Sequence, residues 1–240
     1  MNRADRRRQA KLEKSAAKNG VKSHAVAIRN VDQAIADMIQ PIVTLLNAQR
    51  FDEAGQGLTE LLAASPDHPE GLHLYGLLLC QTGREGQGIE KLRRATVLAP
   101  KTALYWNNLA AALSRASLWS EGLTAARQAV ELDPEYGDAR RNLANVLLSS
   151  GDISGGVAEL ERLARTRTAD AQLWHQLAQC YADQKQFEPA ETAYKKALNL
   201  EPENTRVMRD LAALYTNNWQ YDAAQRLRRQ ADQLDKTGNI

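Results

Sequence analysis

The sequence predicts an all-α protein of helical hairpins stacked along one axis, and three observations carry that prediction. Apolar residues recur at helical spacing. Trp174, Leu177, Ala178 and Tyr181 stand at i, i+3, i+4 and i+7, and Ala190, Tyr194 and Ala197 form a second stripe after a tight connection at Lys185 and Gln186. Pro202 stops the second helix. The pattern also repeats every 34 residues without insertion or deletion, giving the segments 35–68, 69–102, 103–136, 137–170, 171–204 and 205–238. Finally, small residues keep fixed places in that register. The twentieth position reads Ala54, Gly88, Gly122, Gly156, Ala190 and Ala224, and the eighth is Gly or Ala in every segment after the first, where it is Ile42. Small side chains there let two helix backbones approach. Large ones at the seventh position (Tyr75, Leu109, Leu143, Leu177, Leu211) fill the space between hairpins.

Taken in order, the chain begins with residues 1–22, which hold eight bases against two acids, a net of +6, while the remainder carries −4. This segment has no continuous apolar stripe and is broken by Asn19 and Gly20, so a mobile basic arm is expected, with partial helix over 3–18. Its bases, among them Arg3, Arg6, Arg7, Arg8 and Lys11, suit either a solubilising tail or contact with a phosphate-rich partner such as RNA or an anionic membrane surface. Asp5 and Glu13 interrupt the basic run, against a mitochondrial transit peptide. Residues 23–34 lead into the first helix, with Asn30 as a candidate cap. Segment 35–68 is atypical, since Pro41 replaces the usual Leu and predicts a kink. Gly155 and Gly156 open the second helix of 137–170, where each costs roughly 1 kcal/mol against Ala, so that hairpin is expected to be the softest. Segment 205–238 turns a polar face outward (Gln225, Arg226, Arg228, Arg229), as a terminal repeat should.

In that register the residues Trp174, Leu177, Ala178, Tyr181, Ala190, Tyr194, Ala197 and Pro202 resemble the signature of the tetratricopeptide repeat, and the resemblance covers about 35–238. It implies a right-handed superhelical solenoid of six hairpins whose first helices line a concave groove. It further implies that positions 2, 5, 6, 9, 12 and 13 of each repeat point into the groove. The sixth position reads Gln40, Leu74, Asn108, Asn142, Gln176 and Asp210. Amides there could pair with a peptide backbone without reading its sequence, similar to the asparagine ladder in the repeat domain of O-linked N-acetylglucosamine transferases. The carboxylate clamp of chaperone-binding repeat proteins maps onto Arg141, Asn145, Gln176, Arg206 and Asp210; Asp210 has the wrong sign for it.

Chemistry is sparse elsewhere. The four histidines (His24, His68, His73, His175) have no zinc-helix spacing, there is no Cys-x-x-Cys pair, and neither a serine elbow nor a Walker loop occurs. Gly83, Gly86 and Gly88 resemble a phosphate loop only until Lys91, where the fingerprint needs Gly. His73 and His175 are expected to be exposed or partly packed. Cys80 and Cys180 fall beside core positions and read as packing residues, which fits a reducing compartment and a cytoplasmic location. Trp106, Trp119 and Trp174 read as core, whereas Trp219 lies in a turn and reads as exposed. No run of about 18 apolar residues predicts a membrane span.

The expected function is therefore a non-catalytic protein-protein interaction adaptor without metal or cofactor. It would hold an extended peptide or partner helix in the groove through Asn108, Arg141, Asn142, Asn145, Gln176 and Arg206. The alternative is an RNA- or ribosome-associated factor anchored by the basic arm. A third reading is an accessory module for an enzyme.

Overall fold

A computed structural model describes residue 35 and residues 37–237, and every described element is helical. The expectations placed on the arm, on 23–34 and on the Asn30 cap lie outside these residues. The chain divides into two compact units, one ending at Pro100 and one beginning at Lys101.

In the first unit, α1 (37–47) runs on through Pro41, followed by α2 (Phe51–Ala64), α3 (Pro69–Gln81) and α4 (Glu85–Leu98). Ile35, Ile42, Ala54, Leu58, Leu61 and Leu78 form one buried cluster. Helices α3 and α4 cross at their glycines. A Cβ on Gly88 would stand 2.7 Å from the Gly76 carbonyl oxygen, and one on Gly76 would stand 2.9 Å from that of Gly88. His68 caps α3, its Nδ1 accepting from Gly71 N–H at 3.1 Å, with Pro69 at the first helical position.

The second unit holds α5 (Ala103–Arg115), α6 (Trp119–Leu132), α7 (Gly137–Ser149), α8 (Ile153–Thr166), α9 (Ala171–Asp183), α10 (Phe187–Leu200), α11 (Thr205–Asn217) and α12 (Tyr221–Thr237). They pair as the hairpins α5/α6, α7/α8, α9/α10 and α11/α12. Carboxylate and amide caps start three of these helices. Asp152 accepts from Gly155 N–H, Asp170 from Leu173 N–H and Asn204 from Val207 N–H. Gly155 leaves room for that cap, since a Cβ there would stand 2.5 Å from the Asp152 carboxylate. The core follows the small positions: Ala144, Ala178, Ala190, Ala212 and Ala224 are buried together with Leu160, Leu177, Tyr194 and Leu211.

One local motif recurs in every hairpin. Gln49, Gly83, Ser117, Gly151, Lys185 and Trp219, all fifteenth in their 34-residue segments, have φ between 57° and 91°. The next residue's N–H in each case reaches back five residues, as in Gln186 N–H to Tyr181 C=O at 2.8 Å and Asp152 N–H to Leu147 C=O at 2.9 Å. This left-handed residue followed by a six-to-one bond satisfies the carbonyls that the first helix leaves open. Trp219 sits at the last of these corners and is 79% exposed, with Tyr221 edge-on at 6.2 Å.

Candidate functional site

The candidate groove residues lie on α5, α7, α9 and α11, all within the second unit. The 34-residue step repeats one helix face, so polar side chains at fixed positions meet the same face of the preceding first helix. Asn142 Nδ2 donates to Asn107 Oδ1 at 2.8 Å. Gln176 Nε2 donates to Asn145 Oδ1 at 2.6 Å. Asp210 Oδ2 meets His175 Nε2 at 2.6 Å and accepts from Gln179 Nε2 at 3.1 Å. In each rung the sixth residue of one repeat bonds the fifth or ninth residue of the repeat before it.

The six expected residues therefore do not form one uniform set. Asn142, Asn145 and Gln176 belong to the rungs. Asn108 is half-buried beside them, its Oδ1 3.4 Å from the Asn107 amide. Arg141 is ion-paired with Asp170, the residue that also caps α9, so its charge is largely offset. Arg206 is exposed on the first turn of α11. Arg3, Arg6, Arg7, Arg8 and Lys11 lie outside the described residues. Among the described residues, nothing donates to Asn142 Oδ1 or Gln176 Oε1, so both acceptors stay open.

Asn107, Gln179 and His175 enter the rungs without having been singled out as contacts. Asn107 is 4% exposed and also reaches Tyr136 Oη at 3.4 Å. The available signal was spacing: polar pairs 35 and 31 residues apart are one repeat plus one and one repeat minus three. The histidine expectation is corrected. Both His73 and His175 are buried, at 5% and 9% exposure. Burial lowers the His73 pKa to about 4. Trp106, Trp119 and Trp174 are half-buried rather than fully enclosed. Trp174 donates its indole N–H to the Thr168 carbonyl at 2.9 Å and carries Lys196 Nζ 3.9 Å above its ring. Cys80 and Cys180 are buried free thiols. Among the described residues, no three His, Cys, Asp or Glu side chains gather as metal ligands, and no helix is long and apolar enough to cross a membrane.

Comparison with known proteins agrees with this architecture. Family models described as tetratricopeptide repeat match residues 119–180 and 171–204. Protein FlbA of Caulobacter vibrioides is 28% identical over 103 residues, 43% of this chain but 17% of its own length. The chain thus matches a small part of that longer relative. Among solved structures, Pseudomonas aeruginosa PilF superposes with a TM-score of 0.74 at 18% identity, covering 85% of this chain and 93% of that one. YrrB, described as a TPR protein with an unusual peptide-binding site, gives 0.62 at 14% identity, with coverages of 74% and 91%. At these identities the structural likeness speaks for the fold.

Proposed function

Because the chain is a tetratricopeptide repeat protein, matched by that family's models over 119–180 and 171–204, we propose that it is a non-catalytic adaptor. It holds an extended segment of a partner protein along α5, α7, α9 and α11. The supporting observation is the amide row. Asn142 and Gln176 are each fixed by one bond to the first helix of the preceding hairpin and present an open carbonyl oxygen. Held in that way, the amides offer acceptors to a passing peptide backbone at little further entropic cost. That the similarly folded YrrB is described as having a peptide-binding site is in keeping with this reading. The bases of 1–22 would add salt-sensitive attraction to an anionic partner.

The test is photo-crosslinking from positions 108, 142 and 176 on the full chain, beside Arg127 on α6 as an exposed control. Crosslinks to one partner from the first three positions, and none from the control, are expected. Affinity for that partner should then fall roughly 2- to 13-fold in Asn108→Ala, the equivalent of one hydrogen bond of about 0.5–1.5 kcal/mol. Asn142→Ala is a poorer probe, because it leaves the buried Asn107 oxygen without its donor and destabilises the fold as well. Crosslinking only from the control, or unchanged affinity in Asn108→Ala, would move the site off this groove.

A further inference from the structure

A cleft of about 500 Å³ opens between α9, α10 and α11. Phe187, Tyr194 and Leu214 form its apolar walls, and Asp183, Asp210 and Asn217 supply its polar groups. No lysine, arginine or histidine lines it. Asp183 is the last residue of α9 and Asn217 the last of α11. An acid at a helix C-terminus is on the unfavourable side of the dipole, and among the described residues no cation pairs with Asp183. Asp210 spends only one oxygen on its neighbours: His175 and Gln179 both meet Oδ2, and Oδ1 is left open.

Tyr194 is the second, independent observation. Its side chain is 3% exposed, and among the described residues its hydroxyl has no hydrogen-bond partner. The two comparable tyrosines of this unit are both satisfied, Tyr181 by Glu161 at 2.6 Å and Tyr215 by Glu191 at 2.8 Å. Burial, then Asp210 and Asp183, push the Tyr194 pKa up, which places both carboxylates close to the phenol and keeps it protonated. The Tyr194 hydroxyl oxygen is unpaired without being sealed off from solvent. It lies on the wall of a cleft that a ligand can enter.

Building on the groove reading above, we propose that this cleft is a specificity pocket for a basic side chain, arginine or lysine, of the bound protein segment. The aliphatic stem would pack on Phe187 and Leu214, and the cationic head would reach Asp183, Asp210 Oδ1 and the Tyr194 hydroxyl. A neutral side chain of the same shape leaves those acceptors unmatched, so charge sets the selectivity.

The test is a side-chain-resolved NMR titration of the full chain with Nα-acetyl-arginine methylamide, the lysine equivalent and the citrulline equivalent, which keeps the shape of arginine without its charge. Saturable shifts at Tyr194, Asn217 and Leu214 are expected with arginine or lysine, and at least about tenfold weaker binding with citrulline. The relative strengths of the first two identify the preferred base. Asp183→Asn, an exposed position, should weaken binding several-fold without lowering the melting temperature. Tyr194→Phe should do the same, since it removes a hydroxyl that bonds nothing else. Equal binding of citrulline, shifts scattered over the surface, or no shift at tens of millimolar probe would overturn the proposal. So would a loss of stability in Tyr194→Phe with binding retained. A failed titration alongside crosslinks from 108, 142 and 176 would refute the pocket and leave the groove standing.

Discussion

Two glycines at the same repeat position should respond to alanine with opposite signs. Gly88 and Gly122 are both twentieth in their segments and both lie in the second helix of a hairpin. Alanine in a helix interior gains about 0.8–1.0 kcal/mol over glycine when space allows. At Gly122 it does: an added Cβ would meet Leu113 Cβ at 3.5 Å, Ser114 N at 3.6 Å and Ala110 O at 3.7 Å, all ordinary contacts. Gly122→Ala should therefore stabilise by close to the full propensity gain. At Gly88 the Cβ would stand 2.7 Å from Gly76 O and 2.9 Å from Cys80 N, and would also strike the Cys80 sulfur. A side chain can swing away, but two backbone atoms cannot, so α3 and α4 must separate. Overpacking costs about 1–3 kcal/mol, leaving a net loss of up to about 2 kcal/mol and a gap between the variants of roughly 1–3 kcal/mol. In a chain of this size each kcal/mol moves the melting temperature by about 2–4 °C. Thermal unfolding followed by circular dichroism reads the gap, and hydrogen exchange in α3 and α4 assigns it, since repeat arrays need not melt as one body. If Gly88→Ala raised the melting temperature as much as Gly122→Ala, the close glycine crossing would be wrong.

The buried His73 makes stability depend on pH. Its folded pKa of about 4 lies below the ordinary 6.5, so its contribution is fully present above about pH 6.5 and is lost as pH falls toward 4, by at most about 3 kcal/mol. Urea midpoints across that window should flatten in His73→Gln, and an unchanged slope would assign the acid sensitivity to other groups. At the left-handed corners, Lys185→Gly should stabilise by up to about 1 kcal/mol, whereas Gly151→Ala should destabilise by a similar amount. Matched effects of the same sign in melting temperature would contradict the backbone assignment.

The helices were legible because their signals are periodic and local. Stripes at helical spacing, Pro202, and the small twentieth positions each report on a helix or its immediate partner. The corners were only partly legible. Gly83 and Gly151 announce a left-handed residue, but Gln49, Ser117, Lys185 and Trp219 adopt it under the pull of the six-to-one bond, against their own preference. The amide row could be listed from the register, yet its bonds could not. Whether Gln176 turns to solvent or to Asn145 depends on how closely successive first helices pack, a distance that the register alone does not give. The glycine pair of α8 illustrates a further limit. Propensity alone counts Gly155 as a loss, while the folded chain uses its missing Cβ to admit the Asp152 cap.

Corners and rungs together bear on how such a chain can change length. All six corners lie within hairpins and share one backbone geometry, so each hairpin closes in the same way whatever its neighbours. The rungs are not interchangeable in that way. Deleting 137–170 would bring Gln176 opposite Ala111, in the place where Asn145 now receives its amide. The corner is thus a generic closure within each hairpin and the rung a keyed contact between hairpins. The order of the hairpins in the second unit is written in side chains that a simple repeat count would treat as equivalent.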